Sequence, residues 1–356
     1  MPEASLVDWE LGGRVARALA RGGADDEALD GAALRETCAL GLGRVLDYTG
    51  LEPARPVPEA EAVGREDWIA ANLAELRTLA SPLEERAERE ISLPRPFESL
   101  VRSGLGAAGG VEAGVVVGYA SRRVLGQYHV SLSSAKAPPR MLLVGQNLAN
   151  TARELEVEPA RFLLWVAIHE QTHSVQFAAV PWLRDHVAGL VQGLIDGASG
   201  AVDLSALAGL ARRVVSRDPR RALREAMRGE LTRALAGPDQ AVLLDELQAT
   251  MAVIEGYAEH VMDAAASDDG LAAMRDRMDE RRARRTGLAD MIARALGLGM
   301  KLRQYELGKA WSDAVAAEAG IAGLNRVWAE PRALPSLAEL EAPDEWLARV
   351  APTPVG

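Results

Sequence analysis

Apolar residues recur at three- and four-residue steps along most of the chain, the spacing of one buried helix face. "WELGGRVARALA", "GAALRETCALGLGRVLDYTGL" and "REDWIAANLAELRTLASPLEERAERE" each carry it within the first hundred residues. "LEPARPVPEAEAVG", between the last two, has no periodicity and reads as a linker. "SGLGAAGGVEAGVVVGYASRRVLG" begins as a flexible Gly-rich segment and then turns helical. "QYHVSL" and "RMLLVGQN", separated by "SSAKAPP", are short alternating or apolar runs and predict a hairpin. "NLANTARELEV" predicts a short helix. Pro159 suits the first turn of a helix running through "FLLWVAIHEQTHSVQFAAV", and Pro181 ends or kinks it. Beyond it the pattern predicts helices at about 183–198, 203–215, 219–236, 239–266, 270–297 and 300–319, then short Pro-punctuated helices. The expected architecture is mainly α. Residues 1–100 are expected to form an N-terminal helical region and 101–356 a second domain, or the two make one continuous domain.

Composition changes this picture little. A hydrophobic content of 48% over 356 residues supports a sizeable core. The net charge of −11 repels phosphate backbones and anionic membranes, so neither nucleic acid nor membrane is an expected partner. Cys38 is the only cysteine, which excludes an intrachain disulfide and a thiolate cluster within the chain. It reads as core filling. The N-terminal "MPEASLVDWELGG" lacks the basic and apolar regions of a signal peptide. The expectation is a cytoplasmic protein.

The chemistry concentrates in "HEQTH", residues 169–173. With His169 at zero and about 100° per residue, His173, Phe162, Trp165, Gln176 and Val180 all fall within about 40°. Both histidines therefore lie on the inward stripe, and Glu170 stands about 100° to its side. Two imidazoles one turn apart can bind one zinc, while a carboxylate beside them can take a proton from water. Buried imidazoles and a carboxylate with no shared partner would be costly.

Catalytic zinc takes three protein ligands. The elongated pattern would need a histidine at position 179, which is Ala179. His186 lies beyond Pro181 and is a poor candidate. In "DQAVLLDELQATMAVIEGYAEHVMDAA", Glu255 falls within about 40° of Met251, inside the stripe of Leu244, Leu247, Ile254, Ala258 and Met262. It is the expected third ligand. Glu259 and Asp263, further round, suit acceptors for the N–H of a ligating histidine. Gly256 lets another backbone approach closely. His260 points away from the stripe.

"LWVAIHEQTHSVQFAAVPWLRDHV", "EGYAEHVMD" and "KLRQYELGKAW" resemble the zincin-like metallopeptidases of high-GC bacteria known as coenzyme F-420-biosynthesis-associated proteins. "VDWELG", "RRVLGQYHVSL", "RMLLVGQNL" and "NRVWAEPRALPSLAEL" fit the same group. The resemblance implies a mainly α, zincin-like fold of gluzincin type, with the hairpin or its edge strand preceding the HExxH helix. It implies one zinc per chain on His169, His173 and Glu255, with Glu170 as general base. An edge strand of the hairpin would pair with an extended substrate. A second donor to the developing oxyanion is expected from Tyr305, Arg303, Tyr257 or His129, with Tyr305 preferred.

The function expected is a zinc-dependent hydrolase, a metallopeptidase acting on a peptide or other small amide. The alternative is a catalytically silent zinc-containing binding or regulatory protein linked to deazaflavin cofactor metabolism. Glu170 discriminates the two, because a structural site needs no base and fills its fourth position with a ligand. A scaffold without metal is the third option, refuted by zinc in the purified protein.

Overall fold

The computed structural model describes residues 7–22, 30–90, 95–198, 238–266, 274, 277–278 and 299–350. The side chains of 87–105 and 299–305 are outside that set. The helices expected at 203–215, 219–236 and 270–297 lie wholly or almost wholly outside it as well. The chain forms two compact units, residues 1–40 with 58–170, and 41–57 with 171–356.

The first unit holds α1 (Trp9–Ala20), three further whole helices and a sheet. Its strands are β1 (Ala60–Val63), β2 (Gly126–His129) and β3 (Arg140–Val144), in the order β1-β3-β2. β3 is central, parallel to β1 with Ala60 opposite Met141, and antiparallel to β2 with Tyr128 opposite Met141. "RMLLV" is apolar at almost every position because both faces of a central strand are covered, and four of its five residues are buried.

The expected two-stranded hairpin is therefore a three-stranded mixed sheet. Its third strand comes from the segment read as a linker. β1 is only "AEAV", and its Glu61 pairs with Arg140 of β3 at 2.9 Å. Four residues behind a run of prolines carry too little periodicity to reveal a pairing partner so distant in sequence. The gluzincin-type scaffold expected from the resemblance is corrected to this mainly helical fold with a small, unclosed sheet.

α3 (Arg65–Glu90) and α4 (Arg95–Ser121) complete the layer with α1. The Gly-rich part of α4, expected to be flexible, is helical throughout. The reason is helix contact. A Cβ on Gly110, Gly114 or Gly118 would strike the backbone of α1 at Asp8, Gly12 or Ala16. The core beneath contains Ala16, Ala20, Trp68, Ile69, Val117, Leu142 and Val144. α5 (Gly145–Glu154) begins beside a polar hub. There Arg65 Nε donates to Asn147 Oδ1 at 2.8 Å, and Asn147 Nδ2 donates to the carbonyls of Ser121 and Val124.

Two helices run through the division. These are α2 (Gly31–Thr49) and α6 (Pro159–Ala179), each unbroken. The second unit adds α7 (Leu183–Ala198), α8 (Pro238–Ala265) and α9 (Gly299–Leu324), the last broken at Gly320 where φ is +68°. Short turns lead to α10 (Leu337–Glu341) and α11 (Pro343–Val350). Trp311 of α9 and Trp346 of α11 meet edge to face at 4.9 Å between ring centroids, and both are fully buried. α8 and α9 touch backbone to backbone at Gly256 and Gly308, the close approach expected of Gly256. Among the described residues no helix is long and apolar enough to cross a membrane.

Candidate metal centre

α6 carries His169 and His173 one turn apart, and every residue from Phe162 to Ile168 packs inward. The burial is wider than one stripe. Leu163, Leu164, Val166 and Ala167 are covered too, so the helix is buried nearly all round. α8 supplies Glu255 between the buried Ile254 and Gly256. One donor atom from each of His169, His173 and Glu255 lies within 4.8 Å of the others. These three residues form a cluster capable of coordinating a metal ion.

The donor set fits zinc. Two imidazoles and one carboxylate are ligands it takes with three protein donors, leaving one position open. His173 Nε2 and Glu255 Oε2 are 3.7 Å apart. That is too long for a hydrogen bond and close to the roughly 3.4 Å between neighbouring vertices of a tetrahedral zinc shell.

The other nitrogen of His173 is engaged as well. Nδ1 lies 2.9 Å from Gln176 Oε1, and Gln176 Nε2 donates to the carbonyl of Ile254 at 3.0 Å. Gln176 is fully buried. Its place on the inward stripe, beside His173, was the signal that could have marked it in the sequence.

Glu170 is nearly buried at 7% exposure, and its Oε2 accepts from the backbone N–H of Tyr128 at 3.0 Å. That amide belongs to the edge strand β2. Leu125 accepts from the amide of Val144, so the ladder alternation turns Gly126 and Tyr128 away from β3. Gly126 is tight against Glu170, where a Cβ would lie 2.6 Å from Cγ. No property of the side chain at 128 enters this contact, so the residue type carries no sequence signal. Cys38 is buried at 3% exposure. Burial, and after it the negative charge of Glu170, pushes its thiol up to about 11. It stays a neutral thiol at pH 7.

The remaining expected residues fall as follows. Glu259 is half-buried, one turn beyond Glu255 on α8. Asp263 lies 3.0 Å from Lys309 Nζ. His260, read as pointing away from the stripe, bridges Tyr48 Oη through Nε2 and Asp313 Oδ1 through Nδ1, both at 2.8 Å. Among the candidate oxyanion donors, Tyr257 is fully buried and donates to Asn325 Oδ1 at 2.7 Å; burial raises its phenol far above the ordinary value. His129 ends β2, and burial, its largest influence, lowers its pKa. Tyr305 and Arg303 lie on α9, with side chains outside the described residues. His186 packs edge-on against Trp182, apart from the three-residue cluster.

One solved structure is similar to nearly the whole chain. It is the crystal structure of a presumed hydrolase with a novel fold from Chloroflexus aurantiacus. The match has a TM-score of 0.68 and 28% sequence identity, covering 98% of this chain and 99% of that one. A scaffold described as novel overturns the expected gluzincin-type fold. The donor cluster agrees with that correction, since its members do not form one contiguous motif but come from two helices. No curated protein matches the chain. A family model, described as zincin-like metallopeptidase, matches residues 7–347. With all but the two ends of its sequence inside that match, the chain belongs to the zincin-like metallopeptidase family.

Proposed function

We propose that the protein is a zinc-dependent hydrolase of amide bonds, a metallopeptidase, with His169, His173 and Glu255 as ligands and Glu170 as general base. The observation that carries this reading is the pairing of a three-donor cluster with a separately positioned carboxylate next to one of its histidines in the chain. Bound zinc supplies a Lewis acid for a carbonyl oxygen and lowers the pKa of water toward neutrality.

Glu170 has the protein's own part of the chemistry. The amide of Tyr128 donates to its carboxylate and fixes its orientation. A carboxylate held in this orientation accepts the proton of the attacking water and passes it to the leaving amine. Tyr305 is assigned the hydrogen bond to the developing oxyanion, and Glu259 that of an acceptor for a ligand N–H. The likeness to the coenzyme F-420-associated group adds cofactor metabolism as a biological setting to this proposal, and no catalytic step.

The test is zinc content and turnover in four proteins. Wild type should carry one zinc per chain, and His173→Ala and Glu255→Ala should lose it. Glu170→Gln should keep zinc and lose turnover of a fluorogenic peptide library. Zinc unaffected in Glu255→Ala removes the third ligand from the proposal. Full turnover in Glu170→Gln removes the base. A chain that holds zinc yet turns over no amide substrate would favour the silent binding protein.

A further inference from the structure

We propose that Gln176 is a positioning residue that holds the His173 ring with Nε2 toward Glu255 and sets the tautomer that leaves this nitrogen its lone pair. The inference rests on the metal site proposed above and adds to it the residue that prepares one of its ligands.

The argument is one of donor and acceptor logic. A backbone carbonyl can only accept, so the group of Gln176 that meets the Ile254 carbonyl at 3.0 Å must be its NH2. The amide oxygen is then left facing His173 Nδ1 at 2.9 Å. An amide oxygen has no proton to give, so Nδ1 must carry one. A neutral imidazole has a single N–H. Nε2 therefore keeps its lone pair, and Nε2 is the atom 3.7 Å from Glu255 Oε2.

The same side chain reaches both helices of the cluster. Gln176 sits three residues after His173 on α6, and its other end holds Ile254, the residue before Glu255 on α8. It is wholly buried, a place where an amide is costly unless both ends are bonded. Both ends are. One glutamine thus holds a ligand's ring and the backbone next to another ligand in register. A structural glutamine would need any two partners; these two are the ones that orient the donor set.

The experiment reads the tautomer directly in the metal-free chain, from the 15N shifts of the His173 imidazole above its titration range. Wild type should show a protonated Nδ1 and an unprotonated Nε2. Gln176→Met should lose that preference and bind zinc 10- to 100-fold more weakly in chelator competition, the usual loss when a partner of a ligand is removed. Gln176→Glu should restore the Nδ1–H form and part of the affinity, since a carboxylate accepts from Nδ1 as the amide oxygen does. A wild-type spectrum with the proton on Nε2 overturns the proposal, as does a folded Gln176→Met with unchanged tautomer and affinity. The wild-type spectrum decides the matter if the variants do not fold. It also separates the two proposals, because a chain that takes up no zinc removes the hydrolase reading and leaves the tautomer measurable.

Discussion

Gly126 and Glu170 share one space: a Cβ built on Gly126 would lie 2.6 Å from Glu170 Cγ and 2.9 Å from its Cδ. The glycine is required here by what passes over it rather than by its own dihedral angles. The next outward-turned residue of the same edge, Tyr128, gives its N–H to the carboxylate. A short stretch of β2 therefore both makes room for Glu170 and holds it.

Gly126→Ala tests that arrangement without touching a donor. The methyl group must push the Glu170 side chain or the Leu143 side chain, which lies at 2.8 Å from the same point. The expected cost in stability is about 1–3 kcal/mol, the range for overpacking. Displacing a base by about 1 Å can lower turnover by about 10²-fold. Zinc content should be unchanged. Thermal unfolding, zinc analysis and turnover together check this, and an alanine variant with wild-type turnover would show that Glu170 needs no such positioning.

With His169, His173 and Glu255 as ligands, as proposed, stability should depend on metal. A ligand that binds only the folded chain adds about 4 kcal/mol at 1,000 times its Kd. Adding zinc to stripped protein is expected to raise Tm, and chelator to reverse it. His173→Ala should respond to neither. An equal zinc-induced rise in His173→Ala would place the effective metal elsewhere.

The two helices of this centre were legible in the sequence because each carries polar residues against a strong apolar period. His169 and His173 on α6, and Glu255 on α8, stand on stripes that are otherwise apolar but for Gln176. The scaffold was not legible from the same residues. A donor set needs only local geometry, and different folds can supply it. β1 escaped because its four residues follow a Pro-rich run and find their partner, β3, across α3 and α4 in the chain. The hold on Glu170 escaped because a backbone N–H leaves no trace in residue type. Gln176 lay between these cases: its place on the inward stripe was visible, but the Ile254 carbonyl it reaches was not.

Gly308 is expected to be as intolerant as Gly126, for a backbone reason. A Cβ there would collide with the carbonyl group of Ala252, one turn before Gly256 on α8. A carbonyl in a helix cannot move aside as a side-chain end can, so α9 would have to lift away. Gly308→Ala should cost about 2–3 kcal/mol, toward the upper end of overpacking effects. Because α8 also carries Glu255, weaker zinc binding should accompany the loss. Urea unfolding and chelator competition would read both, and a neutral substitution would mean the helices have room that these contacts deny.

Glu75 predicts a pH dependence of stability. Its carboxylate on α3 accepts from the amides of Leu132 and Ser133, at 2.9 and 3.0 Å, and from the hydroxyls of Ser131 and Ser133, at 3.0 and 3.2 Å. One turn earlier, Asn72 exchanges amide hydrogen bonds with Gln127 of β2. Together they pin to α3 the strand that touches Glu170 and the loop that follows it. Burial raises the pKa of Glu75, but the hydrogen bonds, that from the Ser133 amide foremost, outweigh it and the net shift is below the ordinary 4.5. A carboxylate with a depressed folded-state pKa stabilises fully above its unfolded value, and the gain disappears as pH falls through the folded one. Glu75→Gln keeps the shape and removes the charge. Wild type should exceed it by about 1 kcal/mol at pH 7, the advantage of charge-assisted over neutral hydrogen bonds. The difference should persist down to about pH 4.5 and shrink below that. Urea unfolding of both proteins at pH 7 and pH 3.5 measures it, and an equal difference at the two pH values would mean that the loop is held by shape and not by the carboxylate's charge.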